Sequence, residues 1–330
     1  MTATDPDPTD TGSSDRPPVD PAFAPLLALL ADPSVAPMST LTPDEAREAF
    51  RNLRGVEGEP LPVRSATDRT VPGPAGDVPV RIVVPEVAEL TGVLVWFHGG
   101  GWVIGDLDTA EATQRRLAVA AGCVVVSVDY RLAPEHPAPA GFDDCWAATT
   151  WAAEHLDELG LAPGAPVAVG GDSAGGNLAA LVALRAGEVG PPLALQLLVY
   201  PTTDLTLASP SVEENGEGYF LTAETMRWFV ACNLAGGLAA DDPSVSPLFA
   251  DDAALARAAP AHVQVAGYDP LRDEGRAYHQ RLADAGVATV LVEHPTMIHG
   301  FWAMATLTEV SDQAIADAAA ALRAGFGVGV

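Results

Sequence analysis

Residues 166–186 read Pro-Val-Ala-Val-Gly-Gly-Asp-Ser-Ala-Gly-Gly-Asn-Leu-Ala-Ala-Leu-Val-Ala-Leu-Arg-Ala. The apolar run over 166–170 predicts a buried strand, and the small-residue stretch 174–185 predicts a helix. Between them lies Gly171-Asp172-Ser173-Ala174-Gly175, a G-x-S-x-G turn. Small residues two positions either side of the serine let the chain bend sharply enough to push the hydroxyl out of the backbone. Ser173 is therefore the candidate nucleophile. The following helix aims the positive end of its dipole at the oxygen beside Ser173, where negative charge develops during acyl transfer.

Outward from this turn, strand-like runs at 92–97, 123–128, 166–170, 194–200, 262–267 and 288–292 alternate with helical stretches at 109–121, 142–159, 176–186, 275–285 and 312–324. That alternation predicts an α/β fold: a mostly parallel central sheet with helices on both faces. Extended segments at 69–71 and 78–84 flank a Gly/Pro turn and predict a hairpin at the sheet edge. Two segments stand outside the alternation, residues 22–55 and about 205–240, and together they suit a helical cap. The expected division is a disordered acidic tail over 1–20, a cap segment over 21–55, and a catalytic domain over 56–330 carrying the 205–240 insertion. Trp102, Met226, Trp228 and Phe229 are the candidate pocket walls, with ordinary buried packing as the competing role for each.

The chain has 330 residues, a formal net charge of -27 and no lysine. Such a surface repels nucleic acid and anionic lipid, so no nucleic-acid partner and no stable membrane association are expected. The acidity suits either adaptation to high salt or a solubilising surface. Cys123, Cys145 and Cys232 are widely spaced in apolar surroundings and read as buried thiols rather than a disulfide framework or zinc site. The first twenty residues lack the basic start and apolar centre of a secretory signal, which points to a cytoplasmic protein.

His98-Gly99-Gly100-Gly101-Trp102 follows the strand at 92–97, at the carboxyl end where parallel sheets present ligands. Glycine amides there, with the amide of Ala174, form a candidate oxyanion hole. A general base must reach Ser173, and four histidines lie downstream of it: His262, His279, His294 and His299. His262 starts a strand and His279 lies within a helix. Both His294 and His299 follow the last expected strand, and His299, deeper in the loop and freed by Gly300, is favoured; His294 reads as a partly exposed loop residue. Asp269 ends the strand at 262–267 and is the candidate orienting acid, whereas Asp273 and Glu274 read as first-turn acids facing a helix dipole. Asp172 and His98 read as braces. No cluster has metal-ligand spacing, and the glycines of 170–176 do not match a nucleotide-binding register, so no metal and no cofactor are expected.

His98-Gly99-Gly100-Gly101-Trp102, Asp129-Tyr130-Arg131-Leu132-Ala133-Pro134-Glu135, Gly171-Asp172-Ser173-Ala174-Gly175-Gly176, Asp269-Pro270-Leu271 and His299-Gly300-Phe301 occur in this order. Together they resemble the bacterial hormone-sensitive-lipase family of carboxylesterases, over most of the chain from about residue 69. The resemblance implies an α/β-hydrolase fold with an N-terminal cap and short- to medium-chain carboxylic esters as substrates. It also implies Ser173, Asp269 and His299 as a triad, Gly100, Gly101 and Ala174 as the oxyanion hole, and frequent homodimers. Thr296 departs from the pattern, which commonly has glycine there. The alternatives are an amidase or deacetylase using the same triad, and a non-catalytic small-molecule-binding homologue.

Overall fold

In the computed structural model, which describes residues 16–52 and 57–328, eight strands form one sheet in the order β1-β2-β4-β3-β5-β6-β7-β8. β1 (Ser65–Val71) and β2 (Val78–Val84) make the antiparallel edge hairpin, and β2 pairs antiparallel with β4 (Val124–Val128). β3 (Val93–Phe97), β5 (Val167–Asp172), β6 (Leu195–Val199), β7 (Ala261–Tyr268) and β8 (Thr289–Ile298) continue the sheet in parallel. β1 begins at Ser65 rather than residue 69, because its first residues are only half-buried or exposed and give no apolar signal.

The helices in chain order are α1 (Ala24–Leu30), α2 (Pro43–Arg51), α3 (Glu111–Ala121), α4 (Ala140–Glu154), α5 (Ala174–Val189), α6 (Pro210–Asn215), α7 (Ala223–Asn233), α8 (Asp252–Leu255), α9 (Arg272–Asp284) and α10 (Val310–Gly325). All five residues of β3 are buried, and alternation splits them between two cores. Val93, Val95 and Phe97 join the core containing Ala148 of α4, Ala179 of α5 and Tyr278 of α9. Leu94 and Trp96 join the core containing Leu117 of α3 and Ile315 of α10. Each fully buried large apolar side chain contributes about 1.5–3 kcal/mol, so the sheet centre is strongly held.

The segments outside the alternation lie over the carboxyl ends of the strands. α2 starts where Thr42 and Glu45 form a reciprocal capping box ahead of Pro43. Ser39 hydroxyl donates to Glu224 of α7 at 3.0 Å, joining the two cap segments. The expected tail over 1–20 is partly outside the described residues, but residues 16–20 are anchored rather than loose. The Arg16 guanidinium lies 3.4 Å over the Tyr268 ring, Tyr268 hydroxyl donates to Pro17 carbonyl at 2.8 Å, and Asp20 amide donates to Thr296 carbonyl at 2.9 Å. Cys123 and Cys145 are buried, but Cys232 on α7 is only half-buried. Among the described residues no helix is long and apolar enough to cross a membrane.

β8 runs to Ile298, six positions beyond the stretch its apolar pattern suggested (298 − 292). His294 is consequently a buried strand residue, not a partly exposed loop residue. Its Nε2 donates to Gln264 Oε1 at 3.2 Å, beside Trp302 Nε1, which donates to the same oxygen at 2.9 Å. Burial pushes His294 down to about 4, while Asp317 opposes this and His262 adds to it. The unfolded chain binds that proton near the ordinary pKa of about 6.5, so it holds more protons than the native state between the two values. Stability therefore falls as pH drops through this window. We expect the His294 contribution to cost about 2 kcal/mol between about pH 7 and 5. Urea unfolding at both pH values should give a smaller stability difference for His294→Gln than for wild type.

Candidate active site

Ser173 occupies φ 56 and ψ −120, a strained conformation for a residue with a side chain. Two glycines permit it. A Cβ on Gly171 would lie 2.3 Å from the Gly175 backbone, and one on Gly175 would lie 1.9 Å from the Phe97 carbonyl oxygen. The turn is then held by backbone bonds: Ser173 amide donates to Val199 carbonyl at 2.9 Å, and Ser173 carbonyl accepts from Asn177 and Thr202 amides at 3.0 and 3.2 Å.

His299 lies just past β8, with Gly300 behind it at φ 79. Its Nε2 is 3.0 Å from Ser173 Oγ, and its Nδ1 is 2.7 Å from Asp269 Oδ2. A carboxylate can only accept, so Nδ1 carries the proton and donates to Asp269, which leaves Nε2 to accept from the serine hydroxyl. Asp269 is fully buried at the end of β7, and its other oxygen accepts from Leu271 amide at 2.8 Å. The Tyr200 ring packs against His299 at 4.7 Å between centroids and limits its swing. Ser173, His299 and Asp269 are thus one hydrogen-bonded line.

The rival groups lie elsewhere. His262 and His294 belong to the Gln264 network under the sheet, and His279 contacts Thr289 Oγ1 at 3.0 Å. Asp273 pairs with Arg272 and Arg276. Glu274 lies in the first turn of α9 as expected, but its carboxylate is turned to another segment. It is fully buried, its Oε1 accepts from Thr203 and Asp204 amides at 2.7 and 3.2 Å, and burial pushes its carboxyl well above the usual range.

The loop after β3 carries Gly100 at φ 120, Gly101 at φ 57 and Trp102 at φ 63. Gly100 carbonyl accepts from Val103 and Ile104 amides at 3.1 and 3.0 Å, closing a tight turn. That turn uses Gly100 as an acceptor and leaves the Gly100 and Gly101 amides without a protein acceptor among the described residues. Ala174, first residue of α5, likewise has no helical partner for its amide. The expected braces make contact here. Asp172 Oδ1 accepts from Gly99 amide at 3.0 Å, and Tyr130 hydroxyl donates to His98 carbonyl at 2.8 Å while its ring stacks on His98 at 4.4 Å. Burial raises the Asp172 carboxyl, with the Gly99 amide opposing.

These groups open into a cleft of about 1310 Å³ between sheet and cap. Trp102, Met226 and Phe229 line it, together with Leu27 and Met38 from the first cap segment. Trp228 does not: one residue further round α7 from the lining face, it packs against Phe229 at 5.1 Å between ring centroids, and it is half-buried. Sequence reasoning passed over the first cap segment as pocket wall because its apolar residues carry no motif. Among the described residues no group of three or more side chains could hold a metal ion.

A family profile for the α/β-hydrolase fold matches residues 94–303. The chain is 48% identical over 242 residues to carboxylic ester hydrolase LipN of Mycobacterium tuberculosis, a match covering 71% of this chain and 64% of that longer relative. It is 42% identical to carboxylesterase NlhH of the same organism, covering 92% of this chain and 96% of the relative. A solved α/β-hydrolase enzyme from the metagenome of Lake Arreo superposes with a TM-score of 0.88 at 39% identity, covering 94% of this chain and 99% of the other.

A Cβ on Gly101 would lie 2.1 Å from the Phe229 ring. Gly101→Ala should therefore lower kcat on a short ester about 100-fold or more, the scale of losing one oxyanion donor. Gly101→Ala with Phe229→Ala should recover about tenfold, since the clash is relieved while the left-handed backbone still disfavours alanine. Equal steady-state kinetics for the single and double variants would show that the Phe229 contact does not shape this loop.

Proposed function

The chain belongs to the α/β-hydrolase-fold family, among its hormone-sensitive-lipase-like esterases, and from that premise we propose that it hydrolyses short- to medium-chain carboxylic esters through an acyl-enzyme on Ser173. The observation that carries this reading is the line from Ser173 Oγ to His299 Nε2 at 3.0 Å and from His299 Nδ1 to Asp269 at 2.7 Å. In the proposed reaction Ser173 Oγ attacks the ester carbonyl as His299 Nε2 takes its proton, and the buried Asp269 carboxylate stabilises the imidazolium. The amides of Gly100, Gly101 and Ala174 hold the oxygen that becomes negative. His299 then returns the proton to the departing alcohol. Water attacks the acyl-enzyme by the same route and releases the acid.

The cleft suits this chemistry. Its lining of Trp102, Met226, Phe229, Leu27 and Met38 favours an apolar acyl or alcohol group, and its volume leaves room for more than an acetyl ester. We assign the substrate as a small neutral ester.

Hydrolysis of nitrophenyl esters of increasing acyl length, wild type beside Ser173→Ala, tests the proposal. Wild type should turn over the short esters, and Ser173→Ala should lose about 10⁴-fold or more in kcat. A Ser173→Ala variant as active as wild type, or a wild type inactive on every length, would overturn it.

A further inference from the structure

Among the described residues of the first cap segment, Arg47 is the one whose side chain holds the turn Gly100–Ile104 on its outer side by hydrogen bonding. Arg47, on α2, has a side chain only 15% exposed. Its Nε donates to Val103 carbonyl at 2.9 Å, and Nη2 donates to Ala133 carbonyl at 3.1 Å. The guanidinium fork also pairs with Glu135, Nη1 to Oε1 at 2.9 Å and Nη2 to Oε2 at 2.7 Å. Ala133 amide donates in turn to Trp102 carbonyl at 2.8 Å. Arg47 therefore bridges two chain segments that hold successive carbonyls of the glycine loop, those of Trp102 and Val103. Nη1 also donates to Asp44 Oδ1 at 3.0 Å, so all five guanidinium N–H donors are used; a lysine ammonium, with three donors on one point, cannot make this set.

This matters because the loop is strained. Gly100, Gly101 and the non-glycine Trp102 all lie at positive φ, and such a conformation persists only where its surroundings over-determine it. The bonds inside the turn fix its shape, and among the described residues the hydrogen bonds that tie residues 100–104 to other segments come from Ala133 and Arg47, beside the Phe229 ring packed on Gly101. Arg51, one turn along α2, adds a bond to Asp106 at 2.7 Å, so the helix follows the loop along its length.

We propose that Arg47 is a positioning residue of the reaction: from the cap, it holds the Gly100–Ile104 turn so that the Gly100 and Gly101 amides stay aimed at the developing oxyanion. The inference rests on the acyl-transfer reading above and deepens it. Arg47 touches no reacting atom, and its loss should weaken binding of the transition state while sparing binding of a small substrate.

The test compares wild type, Arg47→Ala, Arg47→Lys and Thr42→Ala. Thr42→Ala breaks the capping box of α2 without touching Val103 or Ala133, so it reports a loosened helix alone. With nitrophenyl acetate, Arg47→Ala should lower kcat about tenfold to a hundredfold with KM within about twofold. Affinity for a trifluoromethyl ketone, whose adduct oxygen occupies the oxyanion position, should fall by the same factor. Amide exchange over residues 99–105 should quicken about tenfold. Arg47→Lys, which keeps the charge, should fall in between, and decides the matter if Arg47→Ala does not fold. Thr42→Ala should lower the melting temperature and move none of the three readouts. The proposal is overturned if Arg47→Ala behaves as Thr42→Ala does, if its loss lies in KM, or if Arg47→Lys equals wild type. An inactive wild type would instead sink the ester reading, and the exchange measurement would still judge Arg47.

Discussion

The close approach of the first turn of α5 to the carboxyl end of β3 is the constraint on which the site depends. Gly175 packs so tightly on the Phe97 carbonyl that no side chain fits between them. This contact lets β5 pass into α5 through the φ 56 conformation of Ser173, and it sets the Ser173 hydroxyl beside the glycine loop that leaves β3. Strain of this kind costs about 1–3 kcal/mol, and it is borne by the most heavily buried part of the sheet. β3, β5 and β6 are all central, and the Ser173 amide is tied to the Val199 carbonyl at the end of β6. The fold thus brings together, at the carboxyl ends of the strands, the three groups of the proposed reaction: a serine just after β5, a carboxylate after β7 and an imidazole after β8.

The cap is joined to this machinery at three separate places. α2 reaches the glycine loop through Arg47, and α7 lays the Phe229 ring directly on Gly101. α6 reaches the acid. Ser211 hydroxyl donates to Pro270 carbonyl at 2.6 Å, Asn215 amide donates to Asp269 carbonyl at 3.0 Å, and Glu214 pairs with Arg272 at 2.7 Å. Arg16 adds bonds to Glu214, Asn215 and Gly267 carbonyl from the N-terminal side. A cap attached in this way is part of the scaffold of the site as well as a wall of the cleft.

The central strands and helices were legible because each is a run of apolar residues with clear Gly or Pro punctuation. β3 and β4 each start one residue later than expected, and β6 is shorter by one residue at each end. Ser173, His299 and Asp269 were legible for another reason: a strand-to-helix serine, chain order and strand ends restrict the choice to few residues. What was missed lacked a local signal. β8 continues through Glu293, His294 and Pro295 because it pairs with β7, a partner that no single-segment pattern reveals. Glu274 sits in a first turn, where solvent exposure is the usual expectation, yet the chain after β6 folds over it and supplies two amides. Trp228 was grouped with its neighbours by aromatic character, but helical rotation turns it away from the cleft. Arg47 is one of many surface-like arginines until the loop it holds is placed beside it.

The central claim is that Ser173, and no other residue, is activated as a nucleophile by its hydrogen bond to His299. The most direct measurement is intact mass and peptide mapping after treatment with a nitrophenyl phosphonate, which leaves a stable adduct on an activated serine. The account requires one adduct per chain, on Ser173, formed rapidly by wild type and far more slowly by His299→Ala. Adduct on a different residue, or labelling of Ser173 at an unchanged rate in His299→Ala, would contradict it.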